Sequence, residues 1–279
     1  MPTSPGRLEQ LAIQLKDLSE KIEAEEALLV APPQAKRVRK TIGEAYEKLR
    51  KVMADLDPIK HPGFVFDPSH PNVAGRIVAI TMIAQSRKAL ANIDRFYGSG
   101  VYAIYYNGDF QAYDAISRQE HPIYVGKADP LDAGSKTAVE QGDRLCGRLN
   151  EHRKNISKAT TTLRLEDFEY RALVVQTGWQ MAAENYLIEL FKPIWNNEVG
   201  ICYGFGKHGD APETRANLRS PWDTLHRGRD WAHRDPKMKD ARTAKRIEDD
   251  ISQHLAKYPP LSSVDQILRR FLEEMKSVS

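Results

Sequence analysis

Two short segments decide the fold of this chain, Gly100-Val101-Tyr102 and Tyr124-Val125-Gly126. Each is rich in β-branched and aromatic residues and lies next to glycine or proline, a pattern that predicts a strand. A polar connection with the turn signal Asn107-Gly108 joins them, so the two strands are predicted to form a hairpin. A hairpin can place the two tyrosines side by side. On their own, two such phenols are typical of a packed core.

Further strands and helices are predicted around this hairpin. The β-branched and aromatic residues 168–175 predict a third strand. Helical periodicity predicts helices over residues 143–157 and 180–191, and a helix from Val73 to about Ala91 that is apolar almost all round, as buried helices are. The sequence therefore predicts an α+β fold, in which a small three-stranded mixed or antiparallel sheet is flanked by helices.

The chain is predicted to have three parts. These are a helical N-terminal region over residues 1–60, a central domain over residues 61–235 and a helical extension over residues 236–279. In the extension, residues 238–258 predict a charged helix. A second, amphipathic helix is predicted after Ser263, and its apolar stripe is expected to pack on the core or on a second subunit.

The N-terminal region begins with a heptad pattern. Its apolar residues alternate in steps of three and four, as in the a/d seam of a coiled coil: Leu8, Leu11, Leu15, Leu18 and Ile22. This seam predicts either self-association or a helix packed on its own domain. Residues 36–41 are mostly basic and begin a second predicted helix. They are either a solvated face or a surface that contacts phosphate.

The composition limits the classes of function. Lys and Arg number 41 against 38 Asp and Glu, a net charge of +3, which neither requires nor excludes a nucleic-acid partner. No apolar segment is long enough for a membrane span, and the N-terminus has no signal-peptide pattern. Cys146 and Cys202 have no C-x-x-C spacing, which indicates a reducing compartment. We therefore expect a cytoplasmic protein without a membrane segment or a nucleotide cofactor.

Two of the predicted helices carry polar residues that suit a functional site. Arg144, Arg148 and His152 are spaced by four residues, so they lie on one face of a helix. Such a row suits an anionic substrate, and a solvated helical face is the alternative. Glu184 lies among apolar residues, where an ionised carboxylate needs a partner. That partner is either a basic side chain or a metal ion.

Together these segments resemble the GIY-YIG nuclease family. Gly100-Val101-Tyr102 matches the first half of the family's name and Tyr124-Val125-Gly126 the second, with Val in place of Ile in both. This exchange keeps the β-branching that strands favour. The resemblance extends to three single residues in the family's order: Arg148, Glu184 and Asn196.

Other residues resemble one branch of that family. His152 is similar to the histidine of its type II restriction endonucleases, which stands where other members have a tyrosine. Residues 204–208 and 219–232 resemble the branch that cuts the palindrome CCGCGG. The resemblance covers residues 60–233 and leaves both ends of the chain unmatched.

The resemblance implies phosphodiester hydrolysis and a role for each site residue. Glu184 would hold one divalent cation, most simply Mg²⁺, and Arg148 would stabilise the charge that develops on the phosphate. Tyr102 would orient or deprotonate the attacking water, and His152 would either take the proton of Tyr102 or hold the network in place. Tyr124 would position the water or contact phosphate. In the same way, the amide of Asn196 would orient its neighbours.

The implied partner is double-stranded DNA. A palindrome is read by a two-fold symmetric protein, so a homodimer or a homotetramer is expected. The arginines of residues 207–234 that are predicted to contact DNA could read guanine or clamp phosphate, whereas Lys127 is expected to bind phosphate and Arg144 belongs to the helix row that suits an anion. The residues predicted to contact DNA are Lys127, Arg144, Arg215, Arg219, Arg227 and Arg229.

The leading hypothesis is a Mg²⁺-dependent, site-specific, double-strand DNA endonuclease of a restriction system. It would cut a G·C-rich palindrome, CCGCGG by resemblance. One alternative is a less specific GIY-YIG nuclease of repair or homing. The other is an oligomeric DNA-binding protein without catalytic activity.

Overall fold

The structure, a computed structural model, divides the chain into two compact units, Met1–Phe64 and Val65–Ser279. It describes residues 6–24, 32–59, 65–206, 218–233 and 236–276. Among these residues, no helix combines the length and the apolar character that a membrane crossing requires. The three-part division predicted from the sequence, with boundaries near residues 60 and 235, stays a prediction.

The described residues of the first unit form two helices, α1 (Arg7–Ala24) and α2 (Pro32–Leu56). The seam predicted from the sequence lies on α1, where its five apolar residues are 43–59% exposed. Apolar residues of α2 are exposed as well, among them Ile42 and Leu49. Both helices therefore present apolar residues to solvent in the single chain.

The second unit is built around a four-stranded antiparallel sheet. Its strands are β1 (Lys88–Ala89), β2 (Gly100–Tyr106), β3 (Tyr124–Ala128) and β4 (Phe168–Val174), and their order is β1-β4-β2-β3. The predicted hairpin of β2 and β3 and the predicted third strand, β4, are present. This confirms the α+β fold class. The predicted strand count was too low by one, because the two-residue edge strand β1 is too short for a sequence pattern.

Helices cover both faces of this sheet, and three of them were predicted. They are α3 (Pro71–Ile83), α4 (Ala138–Gln141), α5 (Arg144–Ile156) and α6 (Gln180–Phe191). The observed bounds of α5 and α6 agree with the prediction to within one residue. The prediction that the first helix reaches Ala91 was wrong, since α3 ends at Ile83 and the chain then turns into β1.

The C-terminal part of the second unit is mostly helical. It contains a parallel pair of strands, β5 (Leu218–Arg219) and β6 (Lys239–Asp240). Its helices are α7 (Pro221–Leu225), α8 (Asp230–His233), α9 (Ala244–Lys257) and α10 (Val264–Lys276). The charged helix was predicted to begin at residue 238, but α9 begins only at Ala244 because Lys239 and Asp240 pair with β5.

Every residue of β2 is buried, because helices cover the two faces of the sheet. Val101, Ala103 and Tyr105 pack against α3 and α6, together with Ile267 of α10. Burial of each large side chain in such a core stabilises the fold by about 1.5–3 kcal/mol. Gly75 lets α3 lie close to α6, since a Cβ atom there would be 2.7 Å from the backbone of Ala182.

The opposite face of β2 carries the second core. Tyr102, Ile104 and Tyr106 point to this face and pack with α5, and α9 adds Ile247, Ile251 and Leu255 to the same core. Alternation along the strand therefore places Tyr102 on the side of α5, the helix that carries Arg148 and His152. The predicted site residues meet here.

Candidate active site

The two tyrosine motifs meet through the register of the β2–β3 hairpin. Tyr102 is the direct partner of Gly126 and is completely buried. A Cβ atom on Gly126 would overlap the hydroxyl of Tyr102, so the phenol lies in the space that glycine leaves open. The glycine of the second motif is thus required by the tyrosine of the first.

Helix α5 brings His152 to the buried phenol. The Nε2 atom of His152 lies 2.6 Å from the Tyr102 hydroxyl oxygen, within a hydrogen bond. The imidazole is completely buried and stacks on Phe205, with ring centres 4.7 Å apart and an angle of 18° between the rings. Burial lowers the pKa of His152 well below its usual value, and the charges of Arg148 and Arg229 lower it further. The imidazole is therefore neutral at neutral pH.

The second phenol, Tyr124, lies next to both rings of this pair. Its ring centre is 6.2 Å from that of Tyr102 and 5.0 Å from that of His152. Tyr124 is half-buried, whereas Tyr102 is not exposed at all. Burial raises the pKa of both phenols, and it raises that of Tyr102 well above 10, while the guanidinium of Arg148 lowers both. Arg148 is therefore the positive charge that both phenols face.

Arg148 also borders an open pocket of about 500 Å³. Its Nη1 atom donates a hydrogen bond of 2.6 Å to Oε2 of Glu151, one turn further along α5. Burial by itself would lower the pKa of Arg148, but Tyr102, Tyr124 and Glu151 raise it above its usual value. The guanidinium is thus permanently charged. The charged residues that line the pocket are Lys127, Asp129, Asp143, Arg144, Arg148, Glu151 and Glu184.

Glu184, on α6, supplies the carboxylate on the other side of the pocket. It is half-buried, and burial raises its pKa to about 7. Lys127 opposes this shift, whereas the charges of Glu198 and Asp129 add to it. A partly desolvated carboxylate next to other acids is stabilised by a positive charge. Hard divalent cations prefer carboxylate oxygens, so a cation of this kind suits Glu184.

The donor set fits one cation that is held by few protein atoms. Among the described residues, no group of three or more His, Cys, Asp or Glu side chains is arranged to hold a metal. A cation at Glu184 would therefore take its other ligands from water and phosphate oxygens, as Mg²⁺ does in many sites of this kind. The open pocket leaves room for both.

Asn196 lies behind the site rather than in it. Its Oδ1 atom accepts a hydrogen bond of 3.0 Å from the Val125 N–H, and its Nδ2 atom donates one of 2.9 Å to the Val125 carbonyl oxygen. The side chain thus pairs with β3 as a neighbouring strand would. These hydrogen bonds hold the backbone of β3 next to Tyr124, and the orienting role predicted for the amide stays a prediction.

Two of the predicted DNA contacts lie at the mouth of the pocket. Lys127 follows Tyr124 on β3 and forms an ion pair with Asp129. Arg144, at the start of α5, is exposed and donates through Nε to the Asp129 carbonyl oxygen at 3.1 Å. Both cations line the same pocket as Arg148. Arg227 is also exposed, and Arg215 lies outside the described residues.

Arg229 and Arg219 are placed differently from the prediction that they contact DNA. Arg229 is 2% exposed, and its Nε and Nη2 atoms each lie 2.7 Å from an oxygen of Asp223. It also donates to the carbonyl oxygen of Phe205 at 3.2 Å. The guanidinium of Arg219 is bonded to the Ala232 carbonyl oxygen and to Asp240. Arg229 is buried and needs such partners, whereas Arg219 is half-buried and bonded within the protein.

Sequence reasoning missed two residues of the site. Glu151 could have been found, because it lies three residues after Arg148 and i,i+3 pairs of opposite charge meet on a helix. Phe205 gives no such signal. It reaches His152 from a loop after α6, and its place depends on the buried ion pair of Arg229 and Asp223.

One comparison with known proteins gives a match. A family model described as the Eco29kI GIY-YIG domain, of a type II restriction endonuclease family, matches residues 94–255. This range contains both tyrosine motifs, α5, α6 and the loop with Phe205. No curated protein sequence matches the chain.

Proposed function

The chain belongs to the Eco29kI GIY-YIG family of restriction-type nucleases, and on this premise we propose that it is a Mg²⁺-dependent, site-specific, double-strand DNA endonuclease of type II. The proposed substrate is a G·C-rich palindrome, CCGCGG. One observation carries the proposal: Arg148, Lys127 and Glu184 border one pocket, and the charge of Arg148 acts on the buried pair of Tyr102 and His152.

The side chains of the pocket supply what hydrolysis of a phosphodiester needs. A divalent cation bound at Glu184 would supply positive charge next to a non-bridging phosphate oxygen. Arg148 faces the same phosphate and stabilises the negative charge that develops on it, since a guanidinium matches phosphate oxygens. Lys127 and Arg144 draw the DNA backbone to the mouth of the pocket. Tyr124, the more exposed phenol, orients the attacking water from the pocket side, and Tyr102 takes its proton.

A palindromic target requires two such sites. We propose that the protein acts as a homodimer or homotetramer, with one active site for each DNA strand. The exposed apolar seam of α1 supports an association of this kind, because apolar helix faces are normally covered in the assembled state. Sedimentation equilibrium of the full chain tests it, and a monomer at micromolar concentration both with and without DNA would refute it.

Digestion of a plasmid of known sequence tests the nuclease function. With Mg²⁺, the protein should give discrete fragments whose ends map to CCGCGG, and a plasmid without this sequence should stay intact. Nicking, or cleavage that depends on DNA structure instead of sequence, would favour a repair or homing nuclease. DNA binding without any Mg²⁺-dependent cleavage would favour a non-catalytic DNA-binding protein.

A further inference from the structure

The described part of the chain contains two buried pairs of histidine and tyrosine. In the active site, Nε2 of His152 lies 2.6 Å from the Tyr102 hydroxyl, and elsewhere Nε2 of His226 lies 2.6 Å from the Tyr113 hydroxyl. Both imidazoles are completely buried. The atoms around each ring determine which of its nitrogens carries the proton, and the two rings differ in this respect.

The pair outside the active site has a complete set of partners. Trp195 can only donate, and its Nε1 atom donates to the Tyr113 oxygen at 2.9 Å, so that oxygen accepts. The Tyr113 hydroxyl is then free to donate to Nε2 of His226. Nδ1 of His226 lies 2.9 Å from the Thr162 hydroxyl, whose own proton is directed to the Ala159 carbonyl oxygen. His226 therefore carries its proton on Nδ1 and accepts at Nε2.

The active-site pair lacks the partner that would allow this arrangement. Nδ1 of His152 is buried and has no hydrogen-bond partner among the described residues. A buried N–H group without an acceptor costs more free energy than a nitrogen lone pair without a donor. The guanidinium groups of Arg148 and Arg229 also face the ring, and positive charge there favours a lone pair over a further proton.

We propose that His152 is held with its proton on Nε2 and donates this proton in the hydrogen bond to the Tyr102 oxygen. The inference rests on the proposed nuclease function of the site. His152 is then a positioning residue and not the acceptor of the proton from Tyr102. The positive charge of Arg148 lowers the pKa of the same phenol, so the Tyr102 oxygen faces one donor and one cation.

Burial raises the pKa of Tyr102, and the donor at His152 together with the charge of Arg148 offsets part of the free energy that forming the phenolate costs, as an oxyanion hole does for its anion. In the reaction, an O–H bond of the water breaks while an O–H bond forms on the phenolate oxygen. The hydroxide oxygen attacks the phosphorus, the bond to the leaving oxygen breaks, and the leaving oxygen takes a proton from water in the open pocket. Tyr102 then loses the proton that it took up, which balances the one gained by the leaving oxygen and restores the phenolate. The proton does not pass through His152 at any stage.

NMR on histidine labelled with ¹⁵N tests the protonation state without any cleavage assay. Long-range ¹H–¹⁵N spectra separate protonated from unprotonated ring nitrogens, and the signals of His152 are assigned by their loss in His152→Gln. At pH 7.5 we expect a proton on Nε2 of His152 and on Nδ1 of His226, which serves as the internal control. A proton on Nδ1 of His152, or on both of its nitrogens, would overturn the proposal.

Cleavage by two variants gives the second readout. Glutamine can place an N–H near the position of Nε2 but cannot accept a proton, whereas alanine can do neither. His152→Gln should keep plasmid cleavage within about tenfold of the wild type, and His152→Ala should lose about 10²–10³-fold, as on removal of one oxyanion donor. Equal losses in both variants, with native folding shown by near-UV circular dichroism, would overturn the donor role. If the wild type itself does not cleave DNA, the proposed function fails, and the NMR result still decides the protonation state.

Discussion

Replacement of Glu184 by glutamine should stabilise the protein while it abolishes cleavage. Burial raises the pKa of Glu184 from 4.5 to about 7. The folded protein thus binds this proton more tightly than the unfolded chain does, so ionisation of Glu184 opposes folding as the pH rises through 7. The difference in pKa corresponds to about 3 kcal/mol at most, and partial exposure to solvent reduces this to about 2 kcal/mol.

Glutamine keeps the shape of the side chain and removes the charge. The stability gain of Glu184→Gln should be small near pH 5, where the carboxyl group is mostly neutral in the folded state, and should reach about 2 kcal/mol at pH 8.5. For a unit of this size, that raises the melting temperature by about 4–8 °C. All four tryptophans of the chain lie after Phe64, so tryptophan fluorescence follows the unfolding of the second unit alone.

The same measurements test whether Glu184 binds a cation. Mg²⁺ should raise the melting temperature of the wild type at pH 8.5 and leave that of Glu184→Gln unchanged, since a ligand stabilises only the state that binds it. Glu189→Gln is the matched control, because Glu189 lies on the same helix, is exposed and pairs with Lys192. If Glu184→Gln gains no stability between pH 5 and pH 8.5, the carboxylate is not desolvated in the way described. If that variant still cleaves DNA, Glu184 is not the metal ligand.

Further variants separate the parts of the site. Gly126→Ala should displace the Tyr102 phenol, lower the free energy of unfolding in urea by about 1–3 kcal/mol and abolish cleavage. Wild-type activity in this variant would show that Gly126 does not fix the position of the phenol. Asp223→Asn should lower the free energy of unfolding by about 3–5 kcal/mol, because it leaves Arg229 buried without its counter-charge. Unchanged stability with a loss of DNA affinity would instead show that Arg229 contacts DNA. Lys127→Ala and Arg144→Ala should each lower the slope of log affinity against log salt by about one in DNA-binding titrations, with little effect on stability, and an unchanged slope would exclude a phosphate contact.

The elements that carry the site were predictable because their sequence patterns are strong and local. Strands β2 and β3 are short β-branched segments between turn residues, and α5 and α6 have clear helical periodicity with well-defined ends. A side chain on such an element has a fixed direction, and the resemblance to the GIY-YIG nucleases then assigned Tyr102, Arg148 and Glu184 to one site; spacing alone left a packed core and a solvated helix face as alternatives. The edge strand β1 has two residues and gives no periodic signal.

The placement of Arg229 could not be predicted, since its burial is a tertiary property. By composition, the arginines of residues 219–232 suit a DNA-reading segment, and only the folded chain shows that Arg219 and Arg229 are each paired with an aspartate. The difference between composition and placement has a physical origin. Guanidinium groups serve equally well as donors to phosphate and as donors to carboxylates and carbonyl groups in a protein interior.

The buried arginine nevertheless contributes to the chemistry of the site. Arg229 binds Asp223 and the backbone on both sides of Phe205, and Phe205 in turn stacks on His152. The charge of Arg229 also helps to keep the imidazole neutral. Tyr102 needs a neutral imidazole that donates from Nε2. The segment with Arg229, whose composition suits a DNA contact, therefore affects the active site through Phe205 and His152. Loss of the ion pair should therefore reduce cleavage through the orientation of His152, even where the fold survives.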